Sequence, residues 1–206
     1  MELCPKVTEE YTSSKINSIL EAAQRVFIRK GFEAVSMQDI VDECRISRGG
    51  LYKYFSSTGE IFEAILNRDE YGEADGFSRL IEAGQDAFAI LEAFMREQEK
   101  EILNITNTII PTAYEYFIKS RRNNRRLEFL MKRYRRAQEL LGRIIDYGME
   151  RKEFRRDVDK AEASKYILTF IEGLIITSIA VGIDGASLNS QVRLFSNTLH
   201  KLLAAE

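Results

Sequence analysis

Ser47-Arg48-Gly49-Gly50-Leu51-Tyr52-Lys53-Tyr54-Phe55 reads as a short helix, Arg48 to Phe55, capped by the hydroxyl of Ser47. With Leu51 and Phe55 turned inward, a rotation of about 100° per residue sets Gly49, Gly50 and Lys53 outward and Tyr52 on the flank. Two glycines in a first helical turn cost roughly 1 kcal/mol each relative to alanine. A sequence that keeps them is consistent with a bare backbone approaching something closely, and the major groove of DNA fits. Arg48 and Lys53 can donate to guanine O6 and N7 or to phosphate, and Tyr52 can reach a phosphate oxygen. The same residues also suit an ordinary capped helix with a solvated charged face, and by themselves they do not choose between the two.

The flanking sequence adds context. Upstream, Ser36-Met37-Gln38-Asp39 is a helix start, a capping hydroxyl with an acid three residues on, followed by a short apolar face of Ile40, Val41 and Cys44. Before it, Ile16, Ile19, Leu20, Ala23, Val26 and Phe27 recur at helical spacing, which predicts a helix from Ser13 or Ser14 to Lys30, stopped by Gly31. Residues 1–11 carry no such pattern and read as a flexible tail. Downstream, Ser57-Thr58-Gly59-Glu60 repeats the cap and opens a fourth helix through Ile61, Phe62, Ile65 and Leu66. One long helix and two short ones, the short pair about three residues apart, have the spacing of a helix-turn-helix.

The remaining chain is also helical in pattern. Of 206 residues 45% are hydrophobic and 30% charged, with two prolines and no tryptophan, which predicts an all-α protein with a substantial core. Helices are expected at about 58–83, 86–103, 108–121, 124–151, 160–182 and 187–204. Asp159 caps the fifth of these, and Asp184-Gly185-Ala186 separates the last two. The longest apolar run, Tyr166 to Ile183, is interrupted by Glu172 and reads as a buried helix rather than a membrane span. The N-terminus lacks the apolar stretch of a signal peptide. Cys4 and Cys44 make neither a disulfide framework nor a zinc site, so a reducing cytoplasm is expected.

Charge alone does not announce a nucleic-acid binder. The net charge is −2, and residues 1–56 carry eight basic and eight acidic side chains. Only within Cys44 to Phe55 is the balance one-sided, with Arg45, Arg48 and Lys53 the charges present. Enzyme chemistry has little support either. The single histidine, His200, stands among apolar neighbours, neither cysteine has a base near it in sequence, and no phosphate-binding loop or metal-ligand spacing is visible. No catalytic residue, metal or cofactor is expected.

The stretch from Ile16 to Leu66 resembles the DNA-binding domain of the TetR family of transcriptional regulators. The residues carrying the resemblance are Ile19, Ala22-Ala23, Phe27, Gly31-Phe32, Ser36, Asp39-Ile40, Ile46-Ser47, Gly49, Leu51-Tyr52, Tyr54-Phe55 and Glu60-Ile61, over about a quarter of the chain. The resemblance implies a three-helix module whose third helix enters the major groove. Ser36 and Gln38 would meet phosphate and a base edge, Ser47 and Tyr52 would position the backbone, and Arg48, Gly49, Gly50 and Lys53 would face the bases. It divides the chain into the tail, a DNA-binding domain at 12–57 with the next helix begun to about 72, and an effector-binding and dimerisation domain at 58–206. Two positions depart from the family pattern: Arg45 stands where a turn glycine is usual, and Thr58 where a phosphate-binding lysine is common.

In the body, the broad apolar faces of 160–182 and 187–204 can be buried within one subunit. The resemblance implies instead a four-helix bundle with a second chain, through Tyr166, Phe170, Leu174, Ile175, Ser178, Val192, Phe195 and Leu199. Aromatic residues at helical spacing are usually core; the resemblance adds an effector cavity, for which Phe94, Tyr114, Phe117, Tyr134 and Phe170 are the candidates, with Pro111 bending its wall. Lys119 to Arg136 holds nine basic residues and one acid, and Thr58 to Ile102 twelve acids and four basic residues. These runs offset one another, or else let Arg121, Arg122, Arg125 and Arg126 attract an acidic effector or supplement DNA binding. The expected function is a homodimeric repressor on an inverted-repeat operator, released by a small apolar or amphipathic effector. The alternative is a DNA-binding regulator or architectural protein governed by a protein partner, with no small-molecule effector.

Overall fold

The computed structural model describes residues 9–120 and 122–205, with side chains except those at 9, 10, 69–74 and 120. Among the described residues nine α-helices and one 3₁₀ turn carry the chain, and the only extended pairing is an isolated bridge between Phe154 and Ala204. The helices are α1 (Glu9–Lys30), α2 (Met37–Cys44), α3 (Arg48–Tyr52), α4 (Thr58–Glu82), α5 (Ala87–Leu103), α6 (Ile110–Ser120), α7 (Asn124–Glu150), α8 (Lys160–Ala186) and α9 (Leu188–Leu203).

Helix α1 begins at Glu9, before the expected Ser13, so residues 9–11 are helical rather than tail; residues 1–8 lie outside the described residues. Tyr11 there is 61% exposed, so it adds no buried apolar position to the helical pattern. At the other end Gly31 takes φ 77° and donates to the Phe27 carbonyl at 2.8 Å, closing the helix as expected. Ser36 and Asp39 form a reciprocal cap on α2: the Ser36 hydroxyl accepts the Asp39 N–H at 3.2 Å, and the Asp39 carboxylate accepts the Ser36 N–H at 2.9 Å. Arg45 adopts the left-handed conformation, φ 53° and ψ 43°, which glycine takes without penalty. The turn thus carries a backbone strain of about 1 kcal/mol or more.

Two buried clusters organise the chain. The first joins Ile19, Ala23 and Phe27 of α1, Ile40 of α2, Leu51 of α3, and Ile61, Phe62 and Ile65 of α4. Ile109, Ala113 and Tyr116, from the start of α6 and the residue before it, complete it. The second gathers Phe77 of α4 with the inner faces of α5, α7, α8 and α9. Helices α4 and α6 thus belong to both, and tie the N-terminal module to the body.

Helix α8 differs most from its expected limits. Gly182 breaks the helical geometry with φ 79° and ψ 170°, near where a terminus was placed, but residues 183–186 remain helical. The separation from α9 is made by Ser187 in the left-handed conformation, φ 51°, and not by Asp184-Gly185-Ala186. Helix α8 is long and apolar enough by composition to cross a membrane, with a mean hydropathy of 2.0, yet it packs against α5, α7 and α9. Pro111 occupies the first turn of α6, where its missing N–H removes no bond the helix needs, so the expected bend has no cause there.

Candidate functional site

Helix α3 is held at both ends by local bonds. The Ser47 hydroxyl accepts the Gly50 N–H at 3.1 Å, and Leu51, fully buried, anchors the inner side. Regular α-helix stops at Tyr52, earlier than expected, but Lys53 to Phe55 continue as a turn whose N–H groups bond to the Gly49 and Leu51 carbonyls. This brings Phe55 into the core and leaves Ser47, Arg48, Gly49, Tyr52 and Lys53 exposed on one side, with Gly50 half-buried. The two glycines differ in what holds them. A Cβ on Gly50 would lie 3.2 Å from the Ser47 hydroxyl, so the cap itself favours glycine, whereas a Cβ on Gly49 would meet nothing within 4 Å.

Ion pairing sorts the balanced charges of the module. Arg25 and Arg29 of α1 both bind Glu43 of α2, at 3.0 and 2.9 Å, and Lys30 binds Asp39 at 2.6 Å. The Lys30 ammonium, then the Ser36 N–H and hydroxyl, hold the Asp39 carboxyl well below the usual carboxylate range. Asp39 and Glu43 of α2 are thereby neutralised by α1, leaving Asp42 as its one acid without a cation among the described residues, while Arg45, Arg48 and Lys53 stand exposed around α3. Arg48 lies over the Tyr52 ring at 5.5 Å and Lys53 over Tyr54 at 5.6 Å, which directs both along the outer face. Ser36 is exposed, but its hydroxyl is engaged within the cap of α2. Gln38 is also exposed and donates to Asp42 at 2.7 Å, so reaching a base edge requires it to release that bond. Thr58 opens α4 behind the Ser57 cap, and Ser56 bonds the Glu60 carboxylate through its N–H and hydroxyl, at 2.7 and 2.8 Å.

A cavity of about 270 Å³ opens in the body between α4, α5, α6, α7 and α8. Tyr114, Phe117 and Tyr134 line it, as expected, but Phe94 and Phe170 do not. Phe94 is buried against Phe77 with ring centres 5.5 Å apart, and Phe170 stacks on Phe195 at 3.7 Å, so packing between helices claims both. Gln98, Glu101, Arg133 and Glu172 add polar groups to the lining that no local pattern marks. Burial, and to a lesser degree the Glu172 charge, pushes the Tyr114 hydroxyl well above its ordinary pKa, against a smaller opposing influence of Arg133.

Helix α6 carries this cavity on one side and the N-terminal module on the other. Tyr114 and Phe117 face the cavity. Thr112 donates to the Phe27 carbonyl at 3.2 Å, and the Glu115 carboxylate accepts the Phe32 N–H at 2.9 Å across 83 positions of sequence. The Tyr116 hydroxyl donates to Glu63 at 2.6 Å, with its ring 4.6 Å from Phe32. These contacts were not foreseen, because Thr112, Glu115 and Tyr116 are ordinary helical residues until α1 is placed beside them. The basic run meets the acidic one here: Arg125 lies 3.6 Å from Glu63, and Arg126 lies 3.6 Å from Glu33 and over the rings of Phe32 and Tyr116. That supports mutual charge offset over an anion site. Arg121 lies outside the described residues.

The residues assigned to a chain–chain contact divide. Leu174, Ile175, Ser178, Phe195 and Leu199 are each under 10% exposed and turn into the subunit's own core, so they do not form an outer surface. Phe170 and Val192 are half-buried, and Tyr166 is exposed. The apolar side chains that α8 and α9 present outward are Tyr166, Ile176, Ile179, Val181, Leu194 and Leu202. Both helices are apolar on more than one side, and periodicity did not distinguish the inner side from the outer.

Elsewhere, His200 stacks flat on Phe88 at 4.0 Å with its Nε2 3.4 Å from Glu92. Cys44 is half-buried, and that burial pushes its thiol pKa up. Among the described residues no cluster of three His, Cys, Asp or Glu side chains could hold a metal ion.

Comparison with known proteins gives two family matches, to bacterial regulatory proteins of the tetR family over residues 19–65 and to the tetracyclin repressor-like C-terminal domain over residues 90–189. The HTH-type transcriptional regulator YfiR of Bacillus subtilis is 35% identical over 175 residues, covering 84% of each chain. The HTH-type transcriptional repressor KstR2 of Rhodococcus jostii is 25% identical over 158 residues, 75% of each. A TetR transcription regulator from Haloarcula marismortui superposes with a TM-score of 0.75 at 19% identity, over 93% of this chain and 99% of that one.

Proposed function

Since the chain belongs to the TetR family of DNA-binding transcriptional regulators, which are not enzymes, we propose that it is a homodimeric repressor released from its operator by a small molecule. The observation that carries the release step is the double role of α6, with Tyr114 and Phe117 in the cavity and Thr112, Glu115 and Tyr116 on the N-terminal module. A ligand that shifts the cavity side of α6 moves the Gly31–Phe32 turn at the end of α1, and with it the pose of α3. Such a ligand acts by favouring one of two arrangements, and its effect on DNA affinity is limited by its preference between them.

On the DNA, Arg48, Gly49, Gly50 and Lys53 face base edges, Gln38 reaches a further one once released from Asp42, and Ser36, Ser47 and Tyr52 set the register on the backbone. Arg45, left-handed and exposed beside α3, adds a phosphate contact that partly replaces the one missing at Thr58. The outward strip of Tyr166, Ile176, Ile179, Val181, Leu194 and Leu202 is the contact with a second copy. Twofold symmetry then places two α3 helices ~34–36 Å apart, one turn of DNA, on an inverted repeat. The setting is the cytoplasm, with the operator DNA.

The test is a gel shift on DNA flanking the protein's own gene, across a salt series, with light scattering for size. A dimer on an inverted repeat, binding more weakly as salt rises, supports the reading. A monomer, or equal affinity for all sequences, overturns it.

A further inference from the structure

Five polar side chains that line the cavity, Gln98, Glu101, Tyr114, Tyr134 and Glu172, have no hydrogen-bond or ion-pair partner among the described residues. All five keep some solvent exposure around one space, so their polar groups are open to water or to a ligand. The chemistry of the lining is one-sided. The guanidinium of Arg133 is held on the α4 side, where it donates to the Leu66 carbonyl at 2.7 Å. The α5 and α8 sides contribute two carboxylates, Glu101 and Glu172, with no cation paired to either. Glu172 is exposed overall, yet its carboxyl is desolvated enough for its pKa to be raised by burial, and its charge is felt at the Tyr114 hydroxyl.

We propose that the cavity takes a small organic cation on an apolar body, with Glu172 opposing the charge and the rings of Tyr114, Phe117 and Tyr134 enclosing it. This rests on reading the cavity as the effector site. Electron-rich ring faces attract an alkylammonium, and a carboxylate with no ion-pair partner adds Coulombic attraction for a cation that a neutral ligand does not receive. A carboxylate or phosphate headgroup would instead face two carboxylates, Glu101 and Glu172, against the single guanidinium of Arg133. The volume of about 270 Å³ suits a compact ligand, just below the roughly 300–1,000 Å³ of most small-molecule sites.

The experiment is calorimetric titration of the full-length protein with hexyltrimethylammonium, 1-hexanol and hexanoate, which share an apolar body and differ in charge. The cation is expected to bind at least tenfold more tightly than the alcohol, and hexanoate not measurably. Glu172→Gln is expected to weaken the cation at least fivefold with little effect on hexanol, while Glu97→Gln, which lies outside the cavity lining and pairs with Lys100, leaves it unchanged. Thermal melts confirm that each variant is folded. No binding of the cation, equal binding of the three probes, or an unaltered Glu172→Gln overturns the proposal. A Glu172→Gln protein that turns monomeric and keeps its cation affinity also overturns it, assigning the carboxylate to the contact between chains. The same probes in the operator gel shift separate the two readings. If hexanol or hexanoate releases the DNA, the charge assignment falls and the effector reading stands. If the cation binds through Glu172 and the operator stays bound, the reverse holds.

Discussion

Replacing Gly49 by alanine moves stability and DNA affinity in opposite directions. The residue is in the first turn of α3 with ordinary helical backbone, and the new Cβ would touch nothing within 4 Å. Nothing in the subunit therefore opposes the substitution, and reduced freedom of the unfolded chain stabilises the protein by about 0.4–1 kcal/mol. For a chain of this length that raises Tm by about 1–4 °C. In the complex the methyl points where α3 meets the groove floor. Displacing one good base contact costs ~1–3 kcal/mol, a loss of roughly 5- to 150-fold in operator affinity. Gly50→Ala is the internal comparison: its Cβ lies 3.2 Å from the Ser47 hydroxyl, so the cap must shift and the gain in Tm is expected to vanish. Both proteins are melted by circular dichroism and titrated on the operator from the same preparation. A Gly49→Ala protein that is more stable and binds the operator as tightly as the native chain would refute the idea that this bare backbone approaches DNA.

Lys53→Ala and Arg48→Ala are each expected to cost about 1–3 kcal/mol on the specific site, whereas Tyr52→Phe weakens all sequences alike; an unaltered operator affinity for Lys53→Ala puts the reading face elsewhere. Arg45→Gly relieves the left-handed strain and raises Tm, and lowers the salt slope by about 0.9 if Arg45 binds phosphate; an unchanged slope removes that contact. Ile176→Arg or Leu194→Arg is expected to give a folded monomer by light scattering. Leu174→Arg is expected to unfold the subunit, because Leu174 is 7% exposed in its own core; dimers that survive both outer substitutions place the interface off this strip. Asp39 has a depressed pKa in the folded protein, so its stabilisation is present above the unfolded value of about 3.9 and is lost as pH falls below it. Asp39→Asn should therefore flatten the fall of Tm below about pH 4, and parallel curves for the two proteins would contradict this.

Local chemistry was enough to read much of this molecule from its sequence. Ser36 with Asp39, Ser47 with Gly50, and Gly31 closing α1 are interactions between near neighbours in the chain, so residue type and spacing announce them. The same holds for the inward turn of Leu51 and Phe55, since a helical repeat sets which residues share a side. Three features depended on the tertiary structure. An apolar side chain carries no mark of what it will meet, so Leu174 and Ile176, equal in hydrophobicity, part only when the helix is docked, one inward and the other outward. Phe94 and Phe170 were as eligible for the cavity as Tyr114 until packing against Phe77 and Phe195 claimed them. The Glu115 bond to Phe32 and the cavity polar groups join residues from distant helices. Their position is decided by how those helices pack, and no periodicity along one helix encodes it.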